Sequence, residues 1–235
     1  MGQAQTRNQI KSDTVTHFKV LTKDEARKAL DEANSLDFFS DRIALDDVNR
    51  AARQGLAYEP TDGPKIPFTL KGSYKSQYRI VYLDPTAEAG MPHTRSPDLI
   101  CLPAYFETMR LKETLKHEMV HINQRENPEK WVAWCIENGW TLVRQEDIPE
   151  RWVRRCRLNP DTMAYRFWAF RDRWVPLPFF EREDRPKLRD VLVKWWDKQT
   201  GSLSQEVPME LQGIVQGVGS YEHPWEIAAY KEIFL

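Results

Sequence analysis

The residues best suited to chemistry are His117, Glu118 and His121, in the run Glu113-Thr-Leu-Lys-His-Glu-Met-Val-His-Ile-Asn-Gln124. On a helix, residues four apart share a face, so the two imidazoles can point at a single metal ion. Glu118, next to the first histidine, is positioned to reach a water on that ion. This is H-E-x-x-H, the spacing with which two histidines bind zinc and a glutamate acts as general base. A catalytic zinc takes three protein ligands and keeps a fourth position for water, so another ligand must come from elsewhere in the chain.

Two familiar placements of that ligand fail. The metzincin extension needs Gly and His three and six residues after His121, where this chain has Gln124 and Asn127. The thermolysin pattern puts a glutamate in N-E-x-x-S-D about twenty residues on, and neither Glu137 nor Glu146 has that context. The remaining candidate is Glu226, in Pro224-Trp-Glu-Ile-Ala-Ala-Tyr230. A carboxylate there, followed by the small Ala228 and Ala229, could pack close to the motif helix. Glu222 and His223 stand as alternative ligands. Glu226, three residues after His223 at a helix start, also fits a plain capping role. His93 reads as a solvated loop residue.

With H-E-x-x-H followed much later by P-x-E-x-x-A, the chain resembles the gluzincin-type zinc metallopeptidases over Gln77–Gln124 and His223–Tyr230. The resemblance implies an α+β, zincin-like fold: a small, twisted, mainly antiparallel sheet packed on the motif helix, with a later helix donating Glu226. It implies a Zn2+ cofactor held by His117, His121 and Glu226, and peptide or protein substrates. It also implies that Asp98–Leu102 is the edge strand on which an extended substrate pairs. Glu118 would take a proton from the metal-activated water and return it to the leaving amine. Tyr230, one turn past Glu226, is the first choice of oxyanion donor, with Tyr221 and His223 behind it. The ligand set stands or falls on all three side chains converging within about 2.0–2.2 Å of one metal position.

The 235 residues suffice for one large domain: a polar arm over 1–14, then a single metallopeptidase domain over 15–235. Net charge is −1, so no global field recruits nucleic acid or anionic lipid. No run of about 18 apolar residues exists for a membrane span, and Met1–Ile10 lacks the apolar core of a secretory signal. Cys101, Cys135 and Cys156 are odd in number and far apart, which favours free, buried thiols and a cytoplasmic or other intracellular setting. Gly2 with Thr6 fits the loose myristoylation pattern, although a polar arm is the plainer reading.

Thr22 with Glu25 makes a capping box for a helix to Ala33, and a second helix is expected over Asp41–Gln54, stopped by Gly55. Strands are expected at Phe68–Lys71, Gln77–Leu83 and Asp98–Leu102. The first two would pair as a hairpin through Gly72–Ser76, and the alternation around Tyr78, Ile80 and Tyr82 suggests a half-buried strand. Asp84–Pro97 reads as a long loop. The motif helix runs from about Tyr105 to Arg125, with Leu111, Leu115, Met119 and Ile122 as its apolar stripe. Asn127-Pro128 ends it, and a further helix covers Glu129–Glu137.

All nine tryptophans lie between Trp131 and Trp225. Helices are expected at Asp161–Arg173 and Asp184–Lys198, making 140–220 a largely helical, Trp-rich insertion before the ligand helix at 224–234. Gly201–Gly219 reads as a loop. From Arg144 to Lys198 there are 14 Lys plus Arg against 10 Asp plus Glu, a net of +4. That excess is too mild to favour a nucleic-acid surface built from Arg154, Arg155, Arg157, Arg171 and Arg173. Most of the tryptophans suit a core, and a protein-contact surface is the better functional alternative. A scaffold component that keeps the fold without turnover is the runner-up to a peptidase, and a nucleic-acid-associated metallopeptidase comes third.

Overall fold

The computed structural model describes residues 15–71 and 75–232. The polar arm with Gly2, part of the Gly72–Ser76 link and the chain end from Ile233 lie outside the described residues.

Val15–Val20 forms β1, a strand with no counterpart in the sequence reading. Thr22 accepts from the Glu25 amide while Glu25 reaches back to the Thr22 amide, opening α1, Lys23–Asp37. The single helix expected over Asp41–Gln54 is two, α2 (Phe39–Ala44) and α3 (Asp47–Ala52). Asp46 explains the break: in extended backbone, it accepts the Asn49 amide at 3.0 Å and caps α3.

The strands β2 (Pro60–Thr61), β3 (Leu70–Lys71), β4 (Gln77–Leu83), β5 (His93–Arg95) and β6 (Leu99–Pro103) join β1 in a six-stranded sheet. Its order is β3-β1-β4-β6-β5, with β2 pairing on β4 at Pro60↔Leu83. The sheet is mixed rather than mainly antiparallel, because β1, β4 and β6 run parallel. The expected hairpin does not form, since β1 lies between β3 and β4. Nor is β6 the edge: β5 takes that place, drawn from the expected Asp84–Pro97 loop.

Parallel strands need cover on both faces. Tyr78, Ile80, Tyr82, Ile100 and Leu102 pack under the motif helix α4, Thr108–Glu126. On the opposite face Val81, Leu83, Leu99 and Cys101 pack against Ala26, Ala29 and Ala33 of α1. From Ile80 onward β4 is therefore buried on both sides, not half-buried. The stripe Leu111, Leu115, Met119 and Ile122 holds α4 to the sheet. Each such side chain contributes about 1.5–3 kcal/mol on burial. Asn127 ends α4, and Pro128 opens α5, Pro128–Glu137.

The 140–220 segment is not largely helical. After β7 (Trp140–Leu142) and the short α6 (Glu150–Val153) come β8 (Trp168–Phe170), β9 (Trp174–Phe180), β10 (Val191–Asp197) and β11 (Leu203–Ser204). They form an antiparallel sheet in the order β11-β10-β9-β8-β7, which replaces both helices expected at Asp161–Arg173 and Asp184–Lys198. Short apolar runs rich in Val, Trp and Phe are equally compatible with a buried strand, and periodicity cannot separate the two. Pro176 and Pro178 sit in β9 without breaking its ladder to β10. Pro178 O accepts the Arg157 amide on the opposite side, so the proline nitrogen faces away from β10.

The expected Gly201–Gly219 loop contains β11 and α7, Met209–Val215. The chain then enters α8, Pro224–Glu232. Trp168, Phe170 and Trp195 of the second sheet meet Trp131 and Cys135 of α5, Val120 of α4, and Trp225, Ala228 and Ala229 of α8 in one core. All three cysteines are free and buried. Among the described residues no helix is long and apolar enough to cross a membrane.

Candidate metal centre

The helices α4 and α8 pack together where α8 presents small side chains. Ala228 and Ala229 are fully buried against Val120, and this close approach brings Glu226 to the two histidines. His117 Nε2 lies 3.0 Å from His121 Nε2. Glu226 Oε2 is 3.3 Å from His117 Nε2 and 3.5 Å from His121 Nε2. Ligands about 2.0–2.1 Å from a tetrahedral zinc stand about 3.3–3.4 Å apart, so the donor types and their separations both fit that ion.

Outer contacts hold two of the three candidate ligands in place, whereas the buried His117 Nδ1 has no hydrogen-bond partner. His121 Nδ1 donates to Gln124 Oε1 at 2.8 Å, which directs Nε2 to the site, and Gln124 Nε2 donates to Trp225 O at 3.0 Å. The one glutamine thus ties α4 to α8 beside the ligands. Asn159 Nδ2 donates to Glu226 Oε1 at 2.8 Å and to Glu222 Oε1 at 2.7 Å. Glu222 also takes Arg157 Nη2 at 2.5 Å, so it is committed to an ion pair and not to the metal position. His223 is likewise occupied: Nε2 donates to Tyr165 O at 2.6 Å, and Nδ1 accepts the Trp225 amide at 3.0 Å. The helix cap is therefore His223, which frees Glu226 from the capping role.

Electrostatics favour a cation at the crossing. Burial works against charge on His121, but the Glu226 and Asp161 carboxylates outweigh it and lift its pKa to about 10. Glu226 is also penalised by burial, yet His121 and His117 hold it well below 4.5. Without metal, a proton takes the cation's place. Glu118 behaves oppositely: burial, reinforced by Asp161 and Glu226, raises it well above 4.5, and its buried Oε2 has no hydrogen-bond partner. A buried carboxyl with a raised pKa in a cleft is a candidate for proton transfer.

His117, Glu118 and Glu226 line a cavity of about 700 Å³, together with Tyr230, Asn159 and Asp161. The Tyr230 ring lies 4.5 Å from the His117 ring. Burial, with Glu226 nearby, raises the phenol to about 12, so it stays a donor. Gly219 is required beside it, because a Cβ there would stand 2.6 Å from the Tyr230 hydroxyl. Tyr221 is elsewhere, stacked on Trp195. His93 is buried in β5 at the cavity wall rather than solvated, its Nδ1 donating to Met91 O at 3.2 Å.

Asn159 and Asp161 are the residues sequence reasoning missed. Asp161 accepts the Thr94 amide at 2.8 Å and the Thr94 hydroxyl, and stands 3.6 Å from Arg125. The only local signal was the turn-forming run Asn159-Pro160-Asp161. The arginines considered for a phosphate surface are engaged: Arg154 with Glu150, Arg155 with Glu183, Arg157 with Glu222, Arg173 with Asp197, and Arg171 over the Phe170 ring. Six tryptophans are buried and the other three half-buried, as a core requires.

Compared with known proteins, the chain matches no family model, no curated protein and no solved structure at a significant level.

Proposed function

We propose that this protein is a zinc-dependent peptidase. The observation that carries the reading is the meeting of His117, His121 and Glu226 beside a buried, unpartnered Glu118 carboxyl in an open cavity. The histidines and Glu226 would hold the ion, with Gln124 orienting His121 and Asn159 orienting Glu226. When bound, zinc lowers the pKa of water from about 15.7 to about 7 and polarises a carbonyl. Glu118 accepts the water proton as the carbonyl carbon is attacked, and returns it to the amine as the C–N bond breaks. Tyr230, held protonated, donates its hydroxyl to the carbonyl oxygen as negative charge develops there.

The test has two stages. Metal analysis of purified protein is expected to find one zinc per chain, lost in His117→Ala; no metal at saturating zinc sinks the proposal. Cleavage of casein or a peptide library is then expected, blocked by chelator and absent in Glu118→Gln. Zinc binding without turnover in the unaltered protein would instead favour a scaffold that keeps the site.

A further inference from the structure

A second cavity, about 460 Å³, shares no lining residue with the metal centre and falls within the size range of small-molecule sites. Its walls are Arg42 and Leu45 of the α2 end, Leu142 and Val143 at the β7 edge, and Met163, Arg166 and Phe167 ahead of β8. Most of this lining is apolar, and two guanidiniums converge on it.

Neither guanidinium has an ion-pair partner among the described residues. Arg42 Nη1 donates to Met163 O at 3.0 Å. Arg166 donates at 3.2 Å to Cys156 O, and at 3.4 Å and 3.5 Å to Gln145 Oε1 and Val153 O. All of these acceptors are neutral, and most of the contacts are long. Arg166 Nε is buried with no partner at all. The one carboxylate in the cavity, Asp46, accepts the Asn49 amide to cap α3 and forms no ion pair among the described residues. Arg42 is exposed, but Arg166 is half-buried, and a cation drawn partly out of water without a bonded counter-charge is costly. Burial accordingly pulls the Arg166 pKa down; Arg42 adds to that pull, and Asp46 opposes it.

We propose that this cavity binds a small organic carboxylate with an apolar body, the Arg42 and Arg166 guanidiniums taking the carboxylate. Two cations against Asp46 leave one positive charge, which a monoanion neutralises and a phosphate dianion would exceed. The planar guanidinium fork matches a carboxylate. Leu45 and Leu142 are 88% and 51% exposed at the rim, and the ligand's body would cover them.

Calorimetric titration with octanoate, 1-octanol and acetate tests this directly and needs no metal. Octanoate is expected to bind at millimolar concentration or below. Octanol, which lacks the charge, and acetate, which lacks the body, should bind at least about tenfold more weakly. Arg42→Gln and Arg166→Gln should each weaken octanoate by about tenfold or more. Leu45→Asp, on an exposed position, should abolish binding by supplying the missing carboxylate. If Arg166→Gln does not fold, Arg42→Gln and Leu45→Asp decide. Equal affinity for octanoate and octanol, no binding of octanoate, or full affinity in folded Arg42→Gln and Leu45→Asp would overturn the proposal.

Discussion

Asn159→Ala is the sharpest probe of how the metal ligands are held. One side-chain amide serves two buried carboxylates, 2.8 Å from Glu226 Oε1 and 2.7 Å from Glu222 Oε1. Removing it leaves Glu226 Oε1 without a donor in a residue only 5% exposed. A hydrogen bond to a charged group contributes about 1.5–3 kcal/mol, or about 10- to 150-fold in an equilibrium constant. Outer partners of metal ligands are worth about 10- to 100-fold in affinity, which agrees. Zinc affinity of Asn159→Ala, read by competition with a chromophoric chelator at neutral pH, should therefore fall by about 10- to 100-fold. The metal-free fold should survive, because Arg157 still pairs with Glu222 at 2.5 Å; its melting temperature checks this. A folded variant with unchanged zinc affinity would refute the idea that Asn159 positions Glu226.

Glu118→Gln should retain zinc and lose about 10²- to 10⁴-fold in peptide cleavage, the usual range for general acid–base catalysis; a smaller loss would remove Glu118 from proton transfer. Tyr230→Phe should lower kcat by about 10²- to 10³-fold with zinc affinity intact. Gly219→Ala should have a similar effect by pushing the Tyr230 hydroxyl aside, so normal turnover in both would exclude Tyr230 as the oxyanion donor. Glu88, which lines the same cavity without being a candidate ligand, gives a pH prediction. Arg53 donates to it at 2.7 and 2.8 Å, and Tyr58 at 2.5 Å. Burial would raise its pKa, but Arg53 outweighs burial and holds it below 4.5. Its folded pKa is thus depressed relative to the unfolded chain, so its contribution is present above the unfolded value and lost as pH falls through the folded value. Glu88→Gln should cost about 3–5 kcal/mol at neutral pH by leaving Arg53 buried and unpaired. In denaturant titrations from neutral pH to pH 3, the gap between wild type and variant should close; a constant gap would disprove the linkage.

What the sequence alone determined were features set by near neighbours. The capping box at Thr22, the α4 stripe and the stop at Asn127-Pro128 each depend on residues within a turn or two, and each forms as read. The facing of His117 and His121 follows from helical spacing alone. Glu226 was within reach because a carboxylate followed by two alanines can approach another helix closely, whatever lies between.

Only tertiary structure decided the rest. The run Val191–Asp197 carries too little period to tell strand from helix, and the choice came from pairing with β9. β1 became an interior strand because β4 offered it a parallel ladder and the core under α4 took Phe18 and Val20, while Val15, His17 and Lys19 stay exposed. His93, Asn159 and Asp161 acquired roles only when β5 and the 157–161 segment came to line the same cavity, more than sixty residues apart in the chain. Hydrogen-bond satisfaction separated the alternatives at α8: His223 and Glu222 are spent on Tyr165, Trp225, Arg157 and Asn159, while Glu226 keeps one oxygen for the two histidines. Local spacing could nominate the ligands, but the choice among them belonged to buried polar groups that each needed a partner.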